Sequence, residues 1–408
     1  MPIADNIRNA LVSSSMIRKM FEEGIQLKKR HGTDKVFDFS LGNPDIEPPK
    51  AFHDLFVKLA NDDEKGSHGY MPNAGFLHVR EALSKKVCKE HNVKIDGSSV
   101  VMAAGAAGGL NAVLKTICNP GDEVIVSRPF FMEYRPYTAN HGAVLTEVDS
   151  LDNFDLDITA IGRALNEKTT AVIINSPNNP TGKIYSEKSL ASLSTVLKEH
   201  GKKTGRFPYL VSDEPYREIA YICEVPPVLS CYPESIVVSS YSKSLSLPGE
   251  RIGFIAVNPD ISNKDDLVNG LIYSTRILGF VNASALMQRI VGSLTEERVD
   301  VSIYARRRDA FMKVLDEAGI KYAQPEGAFY MFCKVPERGN RGQGLGDNDD
   351  KAFVDHLKNY LILGVPGSGF GKQGWLRFAY CVDEKIIKGS APAFKAAVES
   401  WLKSTTPL

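Results

Sequence analysis

Apolar Ile17, Met20, Phe21 and Ile25 repeat with charged residues between them, which predicts a helix over Ile17–Lys29. Gly42-Asn43-Pro44-Asp45 has the composition of a turn. From about Ala51 to Asn258 short β-branched runs alternate with helical stretches. Val100–Ala104, Glu123–Ser127, Thr170–Asn175, Tyr209–Ser212, Ser235–Ser239 and Ile252–Val257 read as strands. Ala106–Ile117 and the amphipathic Ser186–His200 read as helices. The strand runs are apolar on both faces, as strands of a parallel sheet covered by helices are. Their alternation with helices predicts an α/β layer architecture. Asn258–Asp265 reads as a turn. Leu267–Ala318 reads as mostly helical, with Arg306, Arg307 and Arg308 on its surface, and the remainder to Leu408 as a smaller α+β unit. Arg338–Asp350, rich in Gly, Asn and Asp, reads as an exposed loop.

The length of 408 residues suggests two or three domains. With 43% apolar and 24% charged residues, disorder, collagen and coiled coil are excluded for the bulk of the chain. Lys plus Arg is 49 and Asp plus Glu is 49, so the chain lacks the basic excess of a dedicated nucleic-acid binder. A local basic pocket for a small anion remains compatible with that balance. None of the six cysteines forms a C-x-x-C pair, which predicts free thiols in a reducing compartment. No apolar run approaches ~18 residues, so no membrane span is expected. The first residues lack a secretory pattern, and the expected location is the cytoplasm. The eight histidines are scattered without metal-ligand spacing, and no metal is expected.

Four segments carry candidate chemistry. In Ser240-Tyr241-Ser242-Lys243-Ser244-Leu245-Ser246-Leu247-Pro248-Gly249-Glu250-Arg251-Ile252-Gly253 a lysine follows a strand, and an arginine precedes the next. A desolvated lysine beside another cation becomes a nucleophile able to form a Schiff base, although most lysines are merely solvated. Asp213, in Asp213-Glu214-Pro215-Tyr216, closes an apolar strand where α/β sheets bind ligands, or it caps a helix. Asn175-Ser176-Pro177-Asn178-Asn179-Pro180-Thr181-Gly182 offers amides on a constrained backbone, or is a plain turn. Gly105-Ala106-Ala107-Gly108-Gly109 joins strand to helix and presents N–H groups to an anion, or its glycines are only steric. Gly367–Lys372 imitates a nucleotide loop but lacks its pattern, and reads as the turn leading to Arg377. Asp347-Asn348-Asp349-Asp350 is too short for a calcium loop and reads as solvated.

Together these segments, in this order and with Tyr70, the aromatic cluster Phe130-Phe131-Met132-Glu133-Tyr134 and Trp375-Leu376-Arg377, resemble the class I/II aminotransferases of fold type I. The resemblance runs from about Ser14 to Ala397. It implies a large α/β domain, 51–288, around a mostly parallel seven-stranded sheet between helices, and a small α+β domain formed by 1–50 and 289–408. It implies pyridoxal 5′-phosphate as cofactor, with Lys243 holding it covalently and moving the substrate α-proton. Asp213 pairs with the ring nitrogen, Asn179 and Tyr216 bind the phenolic oxygen, and Phe131 stacks on the ring. The turn at Gly105, Ala106 and Ala107, with Ser240 and Arg251, binds the phosphate. Tyr70 reaches the phosphate of the other subunit of a homodimer. Arg377 clamps the substrate α-carboxylate, assisted by Asn179 and backbone near Gly42. The implied activity is transfer of an α-amino group from an amino acid to a 2-oxo acid. A β-lyase acting on cysteine conjugates shares the same motifs, and a non-catalytic regulatory module is the third alternative. Arg276 falls where acid-specific relatives carry a second cation, or is a surface residue.

Overall fold

The computed structural model describes residues 3–5, 7–8, 16–62, 65–338 and 349–403. Seven runs rich in β-branched residues pair into one sheet: β1 (Val100–Ala103), β2 (Glu123–Arg128), β3 (Val144–Asp149), β4 (Thr169–Asn175), β5 (Tyr209–Asp213), β6 (Ser235–Ser240) and β7 (Gly253–Val257). Their order is β1-β7-β6-β5-β4-β2-β3. Only β7 runs antiparallel to its neighbours. Every residue of β1, β4 and β7 is buried, because helices cover both faces. The expected mixed α/β fold with a mostly parallel seven-stranded sheet is therefore present.

One helix shows the sequence supplying both an apolar stripe and caps. Glu187–Thr204 begins at Ser186, whose hydroxyl accepts from Ser189 N, and ends at Gly205 in the left-handed region. It buries Leu190, Leu193 and Leu197 under one face of the sheet. Gly105–Ile117 packs Leu110 and Val113 on the other face. Parallel β4, β5 and β6 deliver their carboxyl ends side by side, with Asn175 opposite Asp213 and Asp213 opposite Val238. That edge is where open α/β sheets bind ligands.

A second, antiparallel sheet holds β8 (Tyr322–Ala323), β9 (Tyr330–Lys334), β10 (Val365–Pro366) and β11 (Trp375–Ala379), in the order β10-β11-β9-β8. Phe37–Asp38 pairs in parallel with Ile362–Leu363. Phe39 then packs its ring 4.8 Å from Phe311 and 6.0 Å from Phe378 and Phe394. One aromatic core therefore joins an N-terminal segment to the C-terminal elements.

Several expectations need correction. Gly42–Asp45 is an irregular segment, not a turn. Arg307 is buried, not on the surface: it falls on the inward stripe of helix Val301–Glu317. Its guanidinium forks onto Asp45 at 2.5 and 3.0 Å, which satisfies the charge there. Asp350 is buried and accepts from Ser368 N at 2.6 Å, and Asp349 caps the helix Asp350–Lys358, so this acidic pair is structural. Residues 339–348 of the expected loop lie outside the described residues. Strand β3 escaped the sequence reading because it is an edge strand with both ends exposed, leaving no continuous apolar run. The helical stretch after Leu267 is three helices, Lys264–Ile277, Ala285–Ser293 and Val301–Glu317.

Candidate active site

The carboxyl ends of β4 to β6 open into a cavity of about 360 Å³. Eleven of the residues singled out from sequence line it: Gly42, Ala106, Ala107, Phe131, Asn179, Asp213, Tyr216, Ser240, Lys243, Arg251 and Arg377. They come from segments more than 300 residues apart. Gly105 stands directly behind the wall, since a Cβ there would lie 3.0 Å from Arg251 Nη2. Its φ of +71° makes the tight turn from β1 into the helix at low cost only for glycine. Tyr70 is not brought to this wall; it is 98% exposed, beside Phe280 and Asn282.

Lys243 sits on the short helix Tyr241–Ser244 immediately after β6. Its Nζ donates to the Gly42 carbonyl at 2.8 Å, and no described carboxylate pairs with it. Burial pushes its pKa down to about 8; Arg377 and Arg251 act the same way, against an opposing pull from Cys381. Burial keeps the Cys381 thiol neutral, with a pKa near 12. The amine is thus available as a nucleophile or base near neutral pH. Gly42 is required here for a second reason: any Cβ would fall 2.2 Å from the Tyr330 hydroxyl.

Asp213, the last residue of β5, is held on one oxygen only. Tyr134 donates to Oδ2 at 2.7 Å, whereas Oδ1 is buried with no hydrogen-bond partner among the described residues. Burial raises the carboxyl to about 7, the Tyr134 bond partly offsets this, and nearby Glu214 adds to the rise. Such an orphan acceptor calls for a donor, and a protonated ring nitrogen satisfies both its hydrogen bond and its charge. Glu214 serves a different purpose. It turns away, binds Arg217 at 2.9 Å and lies 3.3 Å from His91, and although burial opposes it these partners hold its pKa at about 2.

Arg377 is 2% exposed on β11. Its fork donates to Asn179 Oδ1 at 3.1 Å and to the Ser40 carbonyl at 2.7 Å, and its Nε has no described partner. The guanidinium lies 4.6 Å from the Tyr330 ring centroid and 5.0 Å from that of Phe370. No described carboxylate pairs with it. A buried guanidinium without an anion is costly unless an anionic ligand arrives, and the planar fork fits a carboxylate. Asn179 is locked by its own N–H donating to Asn175 Oδ1 at 2.7 Å, while Asn175 Nδ2 donates to the Asp213 carbonyl at 2.8 Å.

At the opposite end, Ala106 and Ala107 open the helix Gly105–Ile117 beside Ser240 and Arg251. Arg251 has φ +52° and among the described residues donates only to the Pro248 carbonyl, at 2.9 Å. Helix N-terminal N–H groups plus a cation that no described carboxylate pairs make a cradle suited to an anion such as phosphate. Anion cradle, reactive amine, orphan carboxylate and flanking Phe131 match the parts of pyridoxal 5′-phosphate in chemical type. Among the described residues no cluster is arranged to hold a metal ion, and no helix is long and apolar enough to cross a membrane.

Sequence reading gave Asn175 no role beyond its place in the asparagine string, and it missed Tyr134 and Tyr330 as parts of the site. Tyr330 and Tyr216 share a 2.6 Å hydroxyl contact. Tyr134 stood within the aromatic cluster already singled out, but Tyr330 lies in an apolar strand with no local signal. Arg276 lies exposed over the Tyr273 ring, outside the cavity wall.

The family described as aminotransferase class I and II matches residues 34–389. A probable aspartate aminotransferase of Methanocaldococcus jannaschii is 28% identical over 373 residues, covering 90% of this chain and 94% of that protein. A probable aspartate/prephenate aminotransferase of Aquifex aeolicus is 30% identical over 374 residues, covering 89% and 91%. The crystal structure of an amino transferase from Eubacterium rectale superposes with a TM-score of 0.92 at 36% identity, covering 99% of this chain and 100% of that one.

Proposed function

The chain belongs to the class I and II aminotransferases, and from that membership we propose that the cavity holds pyridoxal 5′-phosphate and that the residues around Lys243 use it to move an α-amino group from an amino acid to a 2-oxo acid. One observation carries this reading. A low-pKa lysine, a half-bonded buried aspartate and an anion-free buried arginine line the same wall.

When bound, the cofactor supplies an electron sink for the α-carbon. Lys243 would hold it, then take the α-proton at Nζ and return it. Asp213 would bind the ring nitrogen through Oδ1 and keep it protonated, with Tyr134 holding the other carboxylate oxygen, Oδ2. Tyr216 and Asn179 would bind the phenolic oxygen, and Phe131 would cover the ring and exclude water. The backbone at Gly105, Ala106 and Ala107, with Ser240 and Arg251, would bind the phosphate. Arg377 would orient the substrate by its α-carboxylate, with Asn179 and the Gly42 backbone beside it. The exposed Tyr70 suits a role in the cavity of a second copy, in a homodimer. The two sheets and their cores support a division into 51–288 and 1–50 with 289–408, and the six free cysteines suit a cytoplasmic location.

The test is a half-reaction. With an amino acid alone, the loaded protein should release the 2-oxo acid and accumulate pyridoxamine phosphate, read by its absorbance; an eliminase would release pyruvate or another elimination product and stay in the aldehyde form. Arg377→Lys keeps the charge but loses the fork, so kcat/KM should fall by about 2–5 kcal/mol equivalent for every donor tried. A loss confined to one donor in steady-state comparison would make Arg377 a side-chain selector instead.

A further inference from the structure

We propose that Glu133 selects the substrate side chain, so that the preferred amino donors end in a cation, an ammonium or guanidinium group, and not in a second carboxylate. This rests on the aminotransferase reading above and deepens it.

Glu133 lines the same cavity as Lys243 and Arg377, just before the helix Tyr134–Ala139. Its half-buried carboxylate makes no hydrogen bond or ion pair with any described residue. Other partly buried acids of the molecule are matched: Glu147 by Arg135 at 2.8 Å and Glu326 by Lys183 at 2.6 Å. One helical turn on, Tyr137 lines the same wall, and its hydroxyl also has no described partner. Burial pushes the Glu133 carboxyl upward, as expected for an acid placed in a wall without a counter-charge. A free acceptor in a half-desolvated site is satisfied by a donor brought by the ligand, and a cation satisfies it best.

The positive side of the wall leads to the same specificity. Its cations are Lys243, Arg251 and Arg377. The first is the reactive amine, the second stands at the anion cradle, and the third takes the one carboxylate common to all amino acids. A dicarboxylic donor would bring a second carboxylate with none of these three wall cations left to meet it, and Glu133 would repel it. Like-charge juxtaposition of this kind is how a site rejects a competitor.

The experiment compares kcat/KM for L-ornithine, L-lysine, L-aspartate, L-glutamate and neutral L-norleucine in the loaded enzyme, Glu133→Gln and Glu133→Lys. The parent should favour the cationic donors. Glu133→Gln should narrow the cationic-to-dicarboxylic ratio at least about tenfold, and Glu133→Lys should reverse the preference. Melting shifts induced by α-methylornithine and α-methylaspartate, which lack an α-proton, should follow the same order without turnover. A parent that favours the dicarboxylic donors overturns the proposal, even if neither variant folds. A ratio unchanged in the variants overturns it too. If norleucine reacts while the ratio stays flat, only the Glu133 assignment falls. If no donor is converted and Lys243 takes no borohydride label, the aminotransferase reading falls first and takes this inference with it.

Discussion

Lys243→Ala should lower turnover by at least about four orders of magnitude, the upper range for loss of a positioned acid–base group. Borohydride reduction of the loaded parent should mark Lys243 in a peptide map, and the variant should show no mark. A second measurement uses the charge state. With a pKa near 8 in place of 10.5, about half of the amine is neutral at pH 8 and nearly all of it by about pH 9. Covalent capture of pyridoxal 5′-phosphate, quenched by borohydride, should therefore level off about two pH units earlier than for an ordinary lysine. The same shift has a sign for stability. Between about 8 and 10.5 the unfolded chain binds more protons at this site, so unfolding becomes harder as pH rises. A label on another lysine, or a capture rate still climbing beyond pH 10, would remove Lys243 from the chemistry.

Asp213→Asn is expected to cost turnover about 10²- to 10³-fold, the scale of losing one preorganised electrostatic contact in a water-poor site. The side chain keeps its shape and the Tyr134 hydroxyl still finds an oxygen, so the loss should appear in kcat with some cofactor retained. Stability separates this role from a structural one. The folded carboxyl titrates near 7 against 3.8 unfolded, so its stability contribution is full below pH 3.8 and is lost as pH rises through 7. Removing the charge should therefore leave the cofactor-free protein at least as resistant to heat at pH 8 as the parent. Calorimetry showing a large drop in melting temperature, together with near-normal turnover, would make Asp213 a folding residue. The expected combination, a more stable and less active variant, is the trade-off of a charge kept buried for function.

The sequence alone determined the sheet and the chemistry concentrated in short strings. Strands β1, β4, β5, β6 and β7 were legible because helices cover both faces of the sheet and force continuous apolar runs of Val and Ile. The lysine string at 240–253, the aspartate at 213 and the asparagine loop were legible because each holds its chemistry within a few consecutive residues. Tertiary structure decided the features that depend on residues far apart in the chain. It placed Arg307 in the interior by setting Asp45 across 262 positions, where the charge of the residue by itself reads as a surface cation. It set Tyr330 between Tyr216 and the Arg377 guanidinium, from a strand whose other positions are ordinary core. It removed Arg276 from the cavity and left Glu133 in it without a partner, although both are single charged residues with no pattern around them. The physical reason is common to all four. Local strings encode periodicity, capping and turns, whereas whether a charge is matched depends on what the folded chain brings within about 4 Å of it.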